Sequence, residues 1–491
     1  LNYFVAKIQI LTMLFEKHFF PACLFALLLI ACRHERTPAP PPNIVILFTD
    51  DQRFDTIHAL GNEAIRTPNL DRLAAMGVAF TRAHIPGGNS GVVCAPSRAM
   101  LLSGRPWWAI PPGFAVPWSV EEGRGETPHL TFPEVFRQAG YHTFFTGKWH
   151  NERPVLHAGF TDGAYIFLGG MHPYDQGGHH SPWLHDFDPA GAYPDSTRWQ
   201  GDQFSSNYYS DAAVYFIDTY EEQAPFLLYV SYTSPHDPRH APARFQALYD
   251  PAQIRLPPNF LPEHPFDNGE LVIRDEMLIP VPRTPDAVRR EIAGYYAMIS
   301  EVDAQIGRVL DALERKGILD HTIIVFAGDN GLAAGQHGLL GKQNLYDHSI
   351  RVPLLIAGPG IEGGRRAHSL SYLYDIFPTL CELSGREIPA SVMGRSLAPA
   401  LRDPQAAVRD TIVAGYRSFQ RAIRTGDDWK LITYEVGDSI RTQLFNLRDD
   451  PWEMHDLAGD PAYEERVQEL SEALGKYRRN MDIPFETPAS K

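Results

Sequence analysis

Cys94 stands in the run Val93-Cys94-Ala95-Pro96-Ser97-Arg98, whose spacing can bring a sulfur and a guanidinium together. Proline suits the first turn of a helix, and residues i and i+4 share a helical face. The run predicts a helix start with Arg98 beside Cys94, where free backbone N–H groups already favour an anion. For such a run taken alone, a buried cysteine on a capped helix is the commoner outcome.

The other polar residues tip that balance. Asp50-Asp51 closes one apolar run and Asp329-Asn330 closes another. Adjacent carboxylates repel, so each pair belongs either to a solvated turn or to a bound cation. Two such strand ends in one sheet favour the cation, and donors that are all oxygen suit Ca²⁺ or Mg²⁺ better than zinc. Lys148 and His150 alternate along an extended run and so face the same way. His236 lies in Ser234-Pro235-His236-Asp237-Pro238, and Lys342 in Gly341-Lys342-Gln343-Asn344-Leu345-Tyr346. One histidine or lysine in a loop is usually just solvated; several beside acidic strand ends describe a cationic pocket.

The elements that must hold these residues are continuous apolar runs at 43–48, 226–230, 322–327 and 352–357, the mark of strands covered on both faces. Helical patterns at 69–76, 131–139, 209–220 and 287–316 fall between them. Alternating strands and helices predict an α/β domain with a large, mostly parallel or mixed central sheet flanked by helices. Ligands gather beyond the carboxyl ends of such strands. Segments 151–206 and 255–284 read as long loops. Short strand patterns at 411–415, 420–425, 430–434 and 443–446, then a helix at 462–477, predict a small antiparallel sheet with a helix. The expected division is a catalytic domain over 43–404 and a small α+β subdomain over 405–491.

Cys94-Ala95-Pro96-Ser97-Arg98, extended through Ala99-Met100-Leu101-Leu102-Ser103-Gly104, resembles the signature of the type I sulfatases. Gly140-Tyr141-His142-Thr143-Phe144-Phe145-Thr146-Gly147-Lys148-Trp149-His150 resembles that family's second signature, and the run 444–451 is similar too. Val92 departs where the family usually has a small residue, and Asn151 where it has leucine.

The resemblance implies an alkaline phosphatase-like fold and hydrolysis of sulfate esters. It implies that a maturation enzyme converts Cys94 to formylglycine (3-oxoalanine). It also implies one Ca²⁺ per chain, held by Asp50, Asp51, Asp329 and Asn330 together with position 94. Arg98, Lys148, His150, His236 and Lys342 become catalytic residues: Arg98 and Lys148 steady the sulfuryl oxygens, His236 or Lys342 protonates the leaving oxygen, and His150 accepts a proton from the second hydroxyl. Sulfated polysaccharides or oligosaccharides are the expected substrate, with Trp107, Trp108, Trp183, His179 and His180 available to contact sugar rings. A phosphatase or phosphonate hydrolase of the same superfamily is the first alternative, although no His/Asp set for a second transition metal is visible. An inactive glycan-binding lipoprotein is the second, although it would have no need of the full set of charged residues.

The formal net charge of −15 over 491 residues argues against a nucleic-acid partner and against a basic membrane-binding surface. The apolar run 19–31 follows Lys17 and His18 and suits a secretory signal rather than a bilayer span. It ends in Leu29-Ile30-Ala31-Cys32, which resembles a bacterial lipobox, with Met13 as a plausible true start. We therefore expect a signal peptide over 1–32, a proline-rich tether over 33–42, and an exported protein of the periplasm or cell envelope, lipid-anchored through Cys32. Cys94 and Cys381 then remain in the body without a disulfide, Cys381 inside an apolar helical run.

Overall fold

The computed structural model describes residues 40–110 and 130–481; the expected signal peptide, Cys32 and most of the tether lie outside the described residues. Eight strands build the central sheet: β1 (Asn43–Thr49), β2 (Val78–Phe80), β3 (His142–Lys148), β4 (Asp162–Phe167), β5 (Phe226–Ser231), β6 (Thr322–Gly328), β7 (Leu354–Ala357) and β8 (Arg365–Ala367). Their spatial order is β8-β2-β7-β6-β1-β5-β3-β4. From β6 to β4 every pairing is parallel, whereas β7 runs antiparallel to both β6 and β2.

The apolar runs are continuous because both faces are covered. On β1, Ile44, Ile46 and Phe48 enter one core cluster while Val45 and Leu47 enter another. The first cluster takes Met100 and Leu101 from α2 (Cys94–Ser103), Phe132 and Phe136 from α3 (Phe132–Gln138), and Phe377 and Leu380 from α6 (Ile376–Leu383). The second takes Leu70 and Leu73 from α1 (Pro68–Met76), Tyr209 and Ala213 from α4 (Ser205–Thr219), and Val302, Ile306 and Val309 from α5 (Pro285–Arg315). Local signals set the helix starts. Thr131 and Glu134 form a reciprocal capping box at α3, and Thr284 caps α5 ahead of Pro285.

The segment 151–206 is not wholly loop, as its composition suggested. It contains a short helix, Arg153–Gly159, and the edge strand β4. Its pairing with β3 slips between Thr146 and Gly147, and Tyr165 takes a φ of 55°. A half-exposed, bulged edge strand shows neither a continuous apolar run nor a clean alternation.

Four antiparallel strands, β9 (Thr411–Tyr416), β10 (Gln420–Thr425), β11 (Trp429–Val436) and β12 (Ser439–Asn446), form the small sheet, and Gly87–Gly88 adds a parallel pair at β9. One face packs Val413, Ile423, Leu431 and Leu444 against Leu470 and Leu474 of α7 (Glu464–Met481). The other sends Ile412, Ala414, Ile432 and Phe445 into the first core cluster. The described residues from Pro42 onward form one compact unit. Cys94 and Cys381 are both buried and free, and no helix among the described residues is long and apolar enough to cross a membrane.

Candidate active site

Thr49 of β1 pairs with Gly328 of β6, so Asp50-Asp51 and Asp329-Asn330 leave the sheet side by side at its carboxyl edge. Asp51 turns there with a φ of 63°, a conformation that aspartate tolerates. Its N–H donates to Asp329 Oδ1 at 2.9 Å, and its carbonyl accepts the Tyr295 hydroxyl at 2.5 Å. Helix α2 begins at Cys94 itself, with Pro96 third rather than first. The Ser97 hydroxyl donates to the Asp329 carbonyl at 2.5 Å. Arg98 reaches across to Asp329, with Nε 3.1 Å and Nη2 2.9 Å from Oδ2, and Nη1 donates to Ser231 Oγ at 2.6 Å. The arginine thus braces strand ends as well as flanking the cysteine.

Around the Cys94 sulfur the geometry is tight. Lys342 Nζ lies 2.9 Å from Sγ and 2.6 Å from Asp51 Oδ1, while the thiol itself faces that oxygen at 3.6 Å. Asn330 Nδ2 donates to the same oxygen at 2.7 Å. Lys148, at the end of β3, pairs with Asp50 Oδ2 and donates to the Gly170 carbonyl at 2.5 Å. His236 Nε2 is 3.6 Å from Asp51 Oδ2, and its Nδ1 is 3.2 Å from Asp237 Oδ1. His150 sits against Gly170 with its Nδ1 buried and unpartnered.

Burial opposes ionisation of Asp50 and Asp51, yet the surrounding cations hold both carboxyls down: Lys148, His236 and Arg98 for Asp50, Lys342 and His236 for Asp51. Asp329 goes the other way. Burial and the Asp50 charge push it up to about 7 in spite of Arg98. Burial works against the Lys342 ammonium, but Asp51 outweighs it and keeps the group protonated. The Cys94 thiol is pushed well above its usual range by burial and Asp50. His150 is held neutral by burial and the nearby cations, whereas Asp51 raises His236 against burial.

The residues present fit a hard divalent cation. Among the described residues Asp50 Oδ1 and Asn330 Oδ1 are buried without a hydrogen-bond partner, and Asp50, Asp51, Asp329 and Asn330 all offer oxygen beside the Cys94 sulfur and the His236 nitrogen. The tightest grouping is Asp50, Asp51, Cys94 and His236, whose ligand atoms lie within 4.8 Å of one another. Asp329 is adjacent, but its oxygens face Arg98 and the Asp51 N–H.

Every residue expected in the pocket is brought to it. The supporting shell was missed by sequence reasoning: Tyr295 from α5, Ser231 at the end of β5, Gly170, and Arg274, which clamps the Asp237 behind His236. Each is one polar residue or glycine without a pattern of its own. Of the five residues expected near a sugar, Trp107 and Trp108 pack into the core, and His179 is buried, bridging Ser205 and the His236 carbonyl. His180 lies edge-on to Phe204, and Trp183 lines an open cleft.

The family profile described as Sulfatase matches residues 42–386, and that described as N-sulphoglucosamine sulphohydrolase, C-terminal, matches 335–480. An N-acetylglucosamine-6-O-sulfatase of Bacteroides thetaiotaomicron is 27% identical over 92% of this chain and 89% of its own length. A structure solved in complex with its substrate D-glucosamine-2-N,6-O-disulfate superposes with a TM-score of 0.71 at 25% identity, covering 91% of this chain and 100% of that one. The phosphonate monoester hydrolase of Agrobacterium radiobacter shares the fold, with a TM-score of 0.69 at 22% identity over 90% of this chain and 96% of its own. With the Sulfatase profile spanning most of its length and the two acidic strand ends meeting at Cys94, this chain belongs to the sulfatase family and is a sulfuric ester hydrolase.

Proposed function

We propose that the protein removes sulfate from sulfated polysaccharides or oligosaccharides, using formylglycine made from Cys94 and one Ca²⁺. The observation that carries this reading is the convergence of the Cys94 thiol, Lys342 and Asn330 on Asp51 Oδ1, with Lys342 also reaching the sulfur. A sulfated glucosamine bound as substrate in a structural relative supports the substrate class.

Asp50, Asp51, Asp329 and Asn330, with position 94, would hold the cation. When bound, the cation supplies Lewis acidity, and the hydrated aldehyde supplies a hydroxyl nucleophile with a second hydroxyl for release. The chain's own residues do the rest. Arg98 and Lys148, fixed by Ser231, Asp50 and Gly170, present positive charge to the sulfuryl oxygens without rearrangement. Lys342, 2.9 Å from the Cys94 sulfur, and His236, whose pKa Asp51 raises against burial, are two groups that can give a proton to the leaving oxygen. His150, neutral with a free Nδ1, can accept one.

The test is to express the chain with and without a formylglycine-generating enzyme and assay the Cys94 peptide with an aldehyde-reactive probe. Conversion should track turnover of sulfate esters, and Cys94→Ser should lose turnover by about 10³-fold or more. A Cys94→Ser protein within tenfold of the matured parent would overturn the mechanism. Preference for phosphonate or phosphate monoesters over every sulfate ester would favour the phosphonate hydrolase reading, whose fold this chain shares.

We further propose an exported lipoprotein with an acyl group on Cys32, a tether to residue 42, a catalytic region over 43–404 and a subdomain over 405–491. The charged start, the apolar run and Leu29-Ile30-Ala31-Cys32 support export and anchoring. Cys32→Ser should move the protein from the detergent phase to the aqueous phase; unchanged partitioning would count against the anchor.

A further inference from the structure

A cleft of about 320 Å³ opens beside the site, lined by Arg153, Trp183, His185, Asp195 and Arg198. Its wall is shared with the catalytic centre. Gly169, Met171 and His172 line the cleft, while Gly170 between them turns its carbonyl to Lys148 Nζ at 2.5 Å. The same glycine supports the His150 ring so closely that an added Cβ would meet Nε2 at 2.9 Å.

The cleft carries more positive charge than it balances. Arg153 donates one Nη1 bond, to the Ala192 carbonyl at 2.8 Å, and the Arg198 guanidinium lies 4.8 Å from the centre of the Trp183 ring. Both arginines are exposed, and among the described residues neither is paired with a carboxylate. Asp195 is the acid on the cleft lining. His185, 4% exposed, adds a buried Nδ1 without a partner. Burial, Arg153 and Arg198 oppose its protonation and outweigh the nearby Asp195 and Asp186, which leaves a neutral group that can donate to or accept from a hydroxyl. Two guanidiniums, a neutral imidazole, one carboxylate and a half-buried indole are the chemistry that recognises an acidic sugar.

We infer that this cleft is a second glycan subsite. It seats the sugar next to the one whose sulfate ester is cut, and Arg153 and Arg198 take an anionic substituent of that neighbour, a sulfate or a carboxylate. The inference rests on the sulfatase reading and extends it: the substrate is an oligosaccharide carrying anionic groups on adjacent residues.

The double variant Arg153→Gln/Arg198→Gln tests this against a sulfated hexosamine and three disaccharides of that hexosamine. Their neighbouring sugar is neutral, carboxylated or sulfated. The parent should favour one of the charged disaccharides, and which one identifies the anion. The double variant should lose at least tenfold in kcat/KM on that substrate, through KM, while the monosaccharide and the neutral disaccharide are unaffected. Equal loss on all four substrates, or no loss, overturns the subsite. Calorimetric binding of the same disaccharides to Cys94→Ser protein separates this proposal from the reaction. Charge-dependent binding that the double variant abolishes sustains the subsite even if no sulfate ester is turned over, and charge-blind binding defeats it even in an active sulfatase.

Discussion

Position 94 is surrounded by charge that a thiol does not use. Burial and Asp50 raise the Cys94 pKa well above its usual range even with Lys342 at 2.9 Å, so thiolate is scarce and cysteine itself is a poor nucleophile here. The same surroundings suit an oxygen on a hard cation. Three carboxylates and the Asn330 amide crowd one strand edge, and burial with the Asp50 charge pushes Asp329 up to about 7. A divalent cation bound there would relieve that repulsion only in the folded protein and so would stabilise it. At a free Ca²⁺ concentration about 100-fold above Kd the gain is about 2.7 kcal/mol. Thermal unfolding of chelator-treated protein should shift upward on adding Ca²⁺, and Asn330→Ala, which removes the unpartnered Oδ1, should lose most of the shift. Equal shifts in parent and variant would show that the ion binds elsewhere.

Helix α5 shows how one element serves several others. Its Tyr295 hydroxyl fixes the Asp51 carbonyl, and two turns on, Asp303 accepts N–H bonds from Asn69 at 3.1 Å and Leu70 at 2.7 Å at the start of α1. Thr67 makes no side-chain capping bond there, so Asp303 caps α1 from a distant part of the sequence. Asp303→Ala should cost about 1–3 kcal/mol in urea unfolding by orphaning buried donors, and Asp303→Asn, which keeps an acceptor oxygen, should cost less. An alanine variant as stable as the parent would deny the cap. Contacts of this kind explain what the sequence left illegible. β1 and β6 were visible because both faces are buried, and their acidic ends could be read because position in a strand predicts position in the sheet. The antiparallel sense of β7 could not be read, since apolar content carries no direction. The bulged edge of β4, the cap at Asp303 and the clamp of Arg274 on Asp237 depend on partners that only the fold supplies.

At the scale of the molecule, charge is buried well beyond the catalytic pocket. Lys430 of the small sheet reaches Asp347 Oδ1 at 2.8 Å and Glu453 Oε1 at 2.6 Å, and Arg424 reaches Asp347 Oδ2 at 2.7 Å. The segment that follows Lys342 is thereby tied to the C-terminal strands. Lys430 and Arg424 hold the Asp347 carboxyl down against burial, while burial and the Asp347 charge push Glu453 up to about 7 in spite of Lys430. Glu301, inside α5, has no ammonium or guanidinium bonded to it among the described residues. Gln305 donates to its Oε1 at 3.0 Å, and burial outweighs the hydroxyl of Ser206 and the amide of Gln305 to lift its pKa from 4.5 to about 7. Between those two values the folded protein holds a proton that the unfolded chain has released, and stability must fall as pH rises through the window. Below it both states are protonated and nothing is lost; above it both are ionised and the full penalty, about 3 kcal/mol, applies. Glu301→Gln keeps the shape and removes the titration. Its unfolding free energy relative to the parent should therefore rise from about pH 4.5 to about pH 7 and be level on either side. A difference that is level throughout would mean that Glu301 is ionised in the fold and that a partner for its charge exists within the second core.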